Sequence, residues 1–213
     1  MDITTVIINY QTPDLLEVAA RSFRNVYPEQ PLLLVDNGSK DYSPSLIDKL
    51  EGELPHTKSL TLEKNIYHGP AMDLILKNYI SSKFVFFLDS DTETHKKGFL
   101  EQMQDIAQNN GVYAVGEVIT VNERGFKNED GIEVILTPYL FLKRKYYAEL
   151  PPFIHHGQPT IHNFKEAHKK GLKLEPFPIS DYIHHHWRGT ADRFGYGLGL
   201  KGKLDFFLNK LGL

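Results

Sequence analysis

The sequence predicts an α/β fold, with a central, mostly parallel mixed β-sheet flanked by α-helices on both faces. Short β-branched and apolar runs alternate with helix-length amphipathic segments through the first half of the chain. The runs are nearly continuous in apolar side chains, as strands buried on both faces are. Each also ends in a cluster of polar and turn residues. A β-α-β-α rhythm of this kind folds as a layered sheet with crossover helices.

TTVIINY reads as the first buried strand, and PDLLEVAARSFRNV follows as a helix with Pro13 at its first position. PLLLVDNGS is the second strand, ending in turn residues, and KSLTLEKN is the third, with a helix across roughly 70–80 behind it. KFVFFLD is the fourth, followed by a helix near 96–109 whose start is rich in Thr and Glu. In the second half GVYAVGEVITV and GIEVILTPYLFL read as strands separated by the polar turn NERGFKNEDG. A helix is expected near 159–170, KLEPFPIS is extended, and LDFFLNKLGL is a short amphipathic helix. With no internal repeat or low-complexity linker, the 213 residues read as one domain, 1–110 forming one half and 111–213 the other.

Composition narrows the function classes. The chain is 41% hydrophobic and 24% charged, the balance of an ordinary folded protein. Lysine and arginine number 24 against 27 aspartates and glutamates, a formal charge of −3, and no long basic run occurs. No nucleic-acid partner is therefore expected. Cysteine is absent, which excludes disulfides and thiolate metal sites. The amino terminus lacks a signal-peptide pattern and no apolar run approaches the ~20 residues of a spanning helix, so a cytoplasmic location is expected.

In open α/β sheets ligands lie beyond the carboxyl ends of the strands, and the chemistry-bearing residues cluster there. The first strand ends in Asn9, Tyr10, Gln11 and Thr12, and the second in Asp36, Asn37, Gly38 and Ser39. The third ends in Lys64 and Asn65, the fourth in Asp89, Ser90 and Asp91. Residues i and i+2 of a strand share a face, so Asp89 and Asp91 repel unless a cation lies beside them. A hard divalent ion, Mn²⁺ or Mg²⁺, suits two carboxylates. Taken alone, a D-x-D is most often a solvated acidic turn, but the apolar run before it and the three other strand ends argue against that here.

The run His184-His185-His186-Trp187-Arg188 is a second cluster. An imidazole beside a carboxylate suits Mn²⁺. His184 and His186 share a face in an extended segment and are the candidate ligands, with which of the three histidines closes the site left open. Arg188 offers a planar fork of donors to a phosphate. Asp36 can accept the imide N–H of uracil while Tyr10 offers a ring to the base, and Lys64 reaches either base or phosphate. The plainer readings are a hydrated histidine run, a turn aspartate and a solvated lysine.

VIINYQTPDLL, LLLVDNGSKD, EKNIYHGPAMDL and FVFFLDSD occur in the order and spacing of a family 2-like glycosyltransferase. The chain resembles that family over about residues 1–110. The resemblance implies the GT-A (Rossmann-like) fold and a nucleotide-sugar donor. It implies that Tyr10 and Asp36 hold the base, that Asp89 meets ribose or the metal shell, and that Asp91 binds the metal. A late histidine then completes the site. Asn9, Thr12, Lys64, Asn65 and Ser90 fall within the motifs expected to line the nucleotide. The reaction expected is metal-dependent transfer of a hexose or deoxyhexose from a UDP-sugar to a glycan or glycoprotein acceptor, with further domains possible beyond the carboxyl end of this chain.

One departure concerns the acceptor. Inverting members carry an acidic base before the helix that precedes the late histidine, where this chain has Gln158-Pro159. Asp181, Glu117, His155 and His156 are the remaining candidates, and the stereochemical outcome stays open. GLGLKGKL near the carboxyl end imitates a phosphate-binding G-x-x-x-x-G-K, but Leu204 replaces the hydroxyl residue and no buried strand precedes it. Two other functions fit part of the pattern. A nucleotide-sugar nucleotidyltransferase would want a glycine-rich basic loop where NYQTPD stands. A catalytically silent nucleotide- or glycan-binding domain would explain the missing acid.

Overall fold

The computed structural model describes residues 2–154 and 159–186. In chain order the elements are β1 (Ile3–Asn9), α1 (Pro13–Val26), β2 (Leu32–Asp36), α2 (Ser43–Glu53), β3 (Thr57–Thr61), α3 (His68–Asn78) and β4 (Phe84–Asp89). Then come β5 (Thr92–Thr94), α4 (Phe99–Gln108), β6 (Val112–Gly116), β7 (Val118–Val121), β8 (Ile132–Ile135) and β9 (Tyr139–Lys143). The short helix α5 (Arg144–Tyr147), α6 (Ile161–Lys169), β10 (Lys173–Pro176), a 3₁₀ turn (Ile179–Asp181) and β11 (Ile183–His185) complete it.

Seven strands form one sheet in the order β10-β6-β9-β4-β1-β2-β3. All neighbours run parallel except β9, which is antiparallel to both β4 and β6. This is the mixed, mostly parallel sheet the sequence predicts. It is buried on both faces because alternate side chains feed two separate cores. Ile3, Ile7, Leu34, Phe84 and Phe86 pack under α1, α2 and α4. Val6, Ile8, Leu33, Val35, Val85 and Phe87 pack under α3 and α6. Two-sided burial is what makes the strand sequences continuous rather than alternating. The same parallel register aligns Asn9 with Asp36 and Ile8 with Asp89, so the polar strand ends reach one edge together.

Three departures from expectation have local causes. Helix α2 was not anticipated, because only Leu46, Ile47 and Leu50 of its apolar side chains are buried in an otherwise polar segment. Thr92-Glu93-Thr94 starts no helix; it is β5, paired with β11, and α4 begins at Phe99 behind Gly98. The GVYAVGEVITV run divides at Gly116, where any side chain would meet Ile135 Cγ2 at 2.6 Å and the Tyr139 carbonyl at 2.8 Å. There the chain leaves the main sheet, and β7 pairs instead with β8. GIEVILTPYLFL likewise divides into β8 and β9 around Pro138. The expected helix at LDFFLNKLGL lies outside the described residues. Among the described residues no helix is long and apolar enough to cross a membrane.

Candidate functional site

The site is built at the carboxyl ends of β1, β2 and β4. The three ends are tied by a chain of buried polar side chains: Asn9 Nδ2 donates to Asp36 Oδ1 at 3.3 Å, and Thr12 Oγ1 donates to Asn9 Oδ1 at 2.8 Å. Thr12 and Ser90 share a hydroxyl contact of 3.2 Å. Asn9, Thr12 and Ser90 are thus buried posts that fix the edge. Asp36 is buried too, and its second oxygen accepts the Ser39 N–H at 2.8 Å, closing the turn after β2. That turn depends on Gly38 at φ +74°, where a Cβ would lie 2.1 Å from the backbone of Lys64. The loop after β3 rests directly on it: Asn37 Nδ2 donates to Asn65 Oδ1 at 3.3 Å, and Ile66 N–H donates to Asn37 Oδ1 at 3.1 Å. Lys64 is exposed and Tyr10 half-buried at the rim.

Beyond β4 the chain turns sharply, with Thr92 Oγ1 donating to the Asp89 carbonyl at 2.7 Å. The turn lets β5 pair with β11 in antiparallel register, His185 opposite Thr92. One donor atom from each of Asp89, Asp91 and His185 lies within 4.8 Å of the others. His185 Nε2 is 2.9 Å from Asp91 Oδ1, and both side chains are buried. The His185 ring stands edge-on to Tyr139, 5.6 Å between centroids.

Two carboxylates and one imidazole on converging elements are a donor set suited to a Mn²⁺-like cation. The electrostatics support that fit. Asp89 keeps 28% of its side chain exposed, yet burial is the largest influence on it and pushes its carboxyl above the usual range. His68 pulls down, Asp91 pushes up, and His185 pulls down. Burial also raises the Tyr139 hydroxyl, with the nearby charges of Glu117, Asp89 and Asp91 adding to it. Burial is the main cause of both shifts and the carboxylate charges add to each, so a divalent ion beside Asp89 and Asp91 would relieve their repulsion.

The expected histidine ligands need correcting. His184 and His186 are exposed, their rings 4.8 Å apart and edge-to-face with one another, and neither joins the carboxylates. The cause is strand parity: Ile183 and His185 face inward from β11, so His184 faces out. His186 contributes only its backbone N–H, which donates to the Asp91 carbonyl at 2.9 Å. Asp181 is exposed in the 3₁₀ turn ahead of β11. Arg188, Trp187, Gln158, His155 and His156 lie outside the described residues. His68 was not anticipated. Its Nε2 is 3.9 Å from Asp89 Oδ1 and has no hydrogen-bond partner among the described residues. Only its place three residues after Asn65 marks it in the sequence.

The family model of glycosyl transferase family 2 matches residues 4–186, from the first strand through the histidine run. The chain belongs to that family. No curated protein matches the chain. Among solved structures it is similar to the mannosyltransferase PcManGT from Pyrobaculum calidifontis in complex with GDP-Man and Mn²⁺. That match has TM-score 0.67 and 15% identity, over 83% of this chain and 55% of that one. It is also similar to TarS 1-349 from S. aureus in complex with UDP-GlcNAc, with TM-score 0.62 and 17% identity over 86% and 58% of the two chains. The complex of TarS 1-349 with UDP gives TM-score 0.63 and 18% identity, over 86% and 60%. At such identities the likeness is one of fold, and this chain spans less than two thirds of each of these three.

Proposed function

We propose that the protein is a metal-dependent glycosyltransferase that moves a hexose or deoxyhexose from a UDP-sugar to a glycan or glycoprotein acceptor. The observation that carries the proposal is the convergence of Asp89, Asp91 and His185 at the strand edge that also holds Asp36. The fold's likeness to structures holding GDP-Man with Mn²⁺, UDP-GlcNAc and UDP supports it.

Asp36 is held with both oxygens oriented, one by Asn9 and one by Ser39, and keeps acceptor capacity for the uracil imide N–H. A base without that donor makes no hydrogen bond to the carboxylate and sets its own acceptor edge against it, which gives selectivity. Tyr10 supplies a ring at the rim, and Lys64 a cation for base or phosphate. Asp89, Asp91 and His185 would hold Mn²⁺ or Mg²⁺. When bound, such a cation supplies Lewis-acid stabilisation of the charge that builds on the departing diphosphate. Arg188 is proposed to assist at the same phosphate, and Asp181 or Glu117 to take the acceptor proton. Residues 1–110 serve as the nucleotide-binding half, and 111–213 complete the metal site and receive the acceptor. As a single protein the chain is proposed to resemble the N-terminal domain of a chlorella-virus glycosyltransferase that builds capsid glycans, an acceptor class within this proposal.

Thermal unfolding with nucleoside diphosphates, with and without Mn²⁺, tests it. UDP with Mn²⁺ is expected to raise the midpoint, and CDP, whose base has no ring N–H where uracil has its imide, to do little. Asp91→Ala should abolish the response. Equal stabilisation by CDP would remove the role given to Asp36. Donor hydrolysis then separates a transferase from a silent binding domain, which would bind UDP and never turn over.

A further inference from the structure

Tyr67 occupies a backbone conformation that almost no residue with a side chain adopts. Its φ is +69° and its ψ is 166°, a region essentially reserved for glycine. The surroundings enforce it. Tyr67 N–H donates to Asn65 Oδ1 at 2.7 Å, Asn65 is tied to Asn37, and the Tyr67 carbonyl accepts the Ala71 N–H of α3 at 3.2 Å. Half of the residue, 51%, stays exposed at the surface. A strained, exposed aromatic is a candidate for a ligand contact.

Its place says which ligand. Tyr10 leads into α1, whose buried residues belong to the core on one face of the sheet. Tyr67 leads into α3, whose buried residues belong to the core on the other. The end of β2, with Asp36, lies in the edge between the two loops. On the far side Tyr67 is followed by His68, 3.9 Å from Asp89. A nucleoside seated over Asp36 with its diphosphate toward Asp89 would therefore pass between the Tyr10 and Tyr67 loops. We infer that Tyr67 is a nucleoside-contacting residue, forced into a glycine-only conformation so that an aromatic ring closes the donor site from the α3 side. The inference rests on the nucleotide-sugar reading above.

The test compares wild type with Tyr67→Gly and Tyr67→Phe, measuring UDP affinity by calorimetry with Mn²⁺ present and thermal unfolding without ligand. Tyr67→Gly relieves the strain and removes the ring. Its ligand-free midpoint should rise, by about 2–4 °C, while UDP binding weakens by about tenfold, in the range lost with one base–aromatic stack. Tyr67→Phe keeps both ring and strain, and should keep wild-type affinity. A Tyr67→Gly protein that binds UDP as tightly as wild type would overturn the inference and leave the transferase reading standing. A lower midpoint would overturn it as well, because the tyrosine would then be a structural support. If wild type bound no nucleotide at all, both would fall.

Discussion

Asp89 shows at a single residue how the site trades stability for chemistry. Its carboxyl is held above the usual range chiefly by burial, with the Asp91 charge adding to that. A carboxylate whose folded-state pKa exceeds its unfolded one destabilises the fold once it ionises. The folded protein binds the extra proton, so this contribution is favourable at low pH and is lost as pH rises through the folded value. Asp89→Asn should accordingly raise the ligand-free unfolding midpoint at neutral pH, by an amount that shrinks as the solution is acidified. The same variant should lose the gain that Mn²⁺ with UDP gives wild type. Calorimetric scans over a pH series, with and without the pair, check both; a neutral-pH midpoint below wild type would mean that Asp89 is a structural anchor instead.

At the scale of elements, the two-stranded β5–β11 pair decides which histidine enters the site. Expectation favoured His184 and His186, without settling which of the three histidines closes the site, because residues two apart share a face; the rule is correct, but it picks out the outer face. Ile183 was the legible clue: as the apolar residue of β11 it turns inward, and period-2 alternation then carries His185 in with it. What could not be read was that Thr92-Glu93-Thr94 is the partner strand, because that pairing spans some ninety residues and leaves no local signature. The strand-end motifs were legible for the opposite reason. They follow apolar runs whose parallel register is shared, so reading each strand's end also placed the edge. Replacing His185 with alanine should weaken Mn²⁺ binding by at least about tenfold, a loss no smaller than removal of an outer-shell partner causes. His184→Ala and His186→Ala should leave it within about twofold in the same calorimetric titration. Loss on His184→Ala alone would reverse the parity argument. The turn after β2 gives a second test at this scale. Gly38→Ala drives a Cβ into the Lys64 backbone at 2.1 Å and strains a φ of +74°. It should cost about 1–3 kcal/mol in urea unfolding and weaken UDP binding, because the Asp36 turn and the β3 loop move together.

For the molecule as a whole, β4 joins the two layers. Phe86 faces the core beneath α1 and α4, and its neighbour Phe87 faces the core beneath α3. Both are almost wholly buried in the middle of the sheet, between β1 and β9. Truncating either to alanine should cost about 3–5 kcal/mol, the usual loss for a buried phenylalanine. That is a large part of the roughly 5–15 kcal/mol that holds a folded domain together. Since β4 also delivers Asp89 and Asp91, a ligand that binds only the folded edge pulls against the damage from either face. UDP with Mn²⁺ at about a hundred times its dissociation constant returns about 2.7 kcal/mol. Each variant should thus unfold at a markedly lower urea concentration than wild type and recover much of the difference when the pair is added. If Phe87→Ala lost stability and Phe86→Ala did not, the α1 layer would be a covering rather than a core. The strand would then be anchored from the α3 side alone.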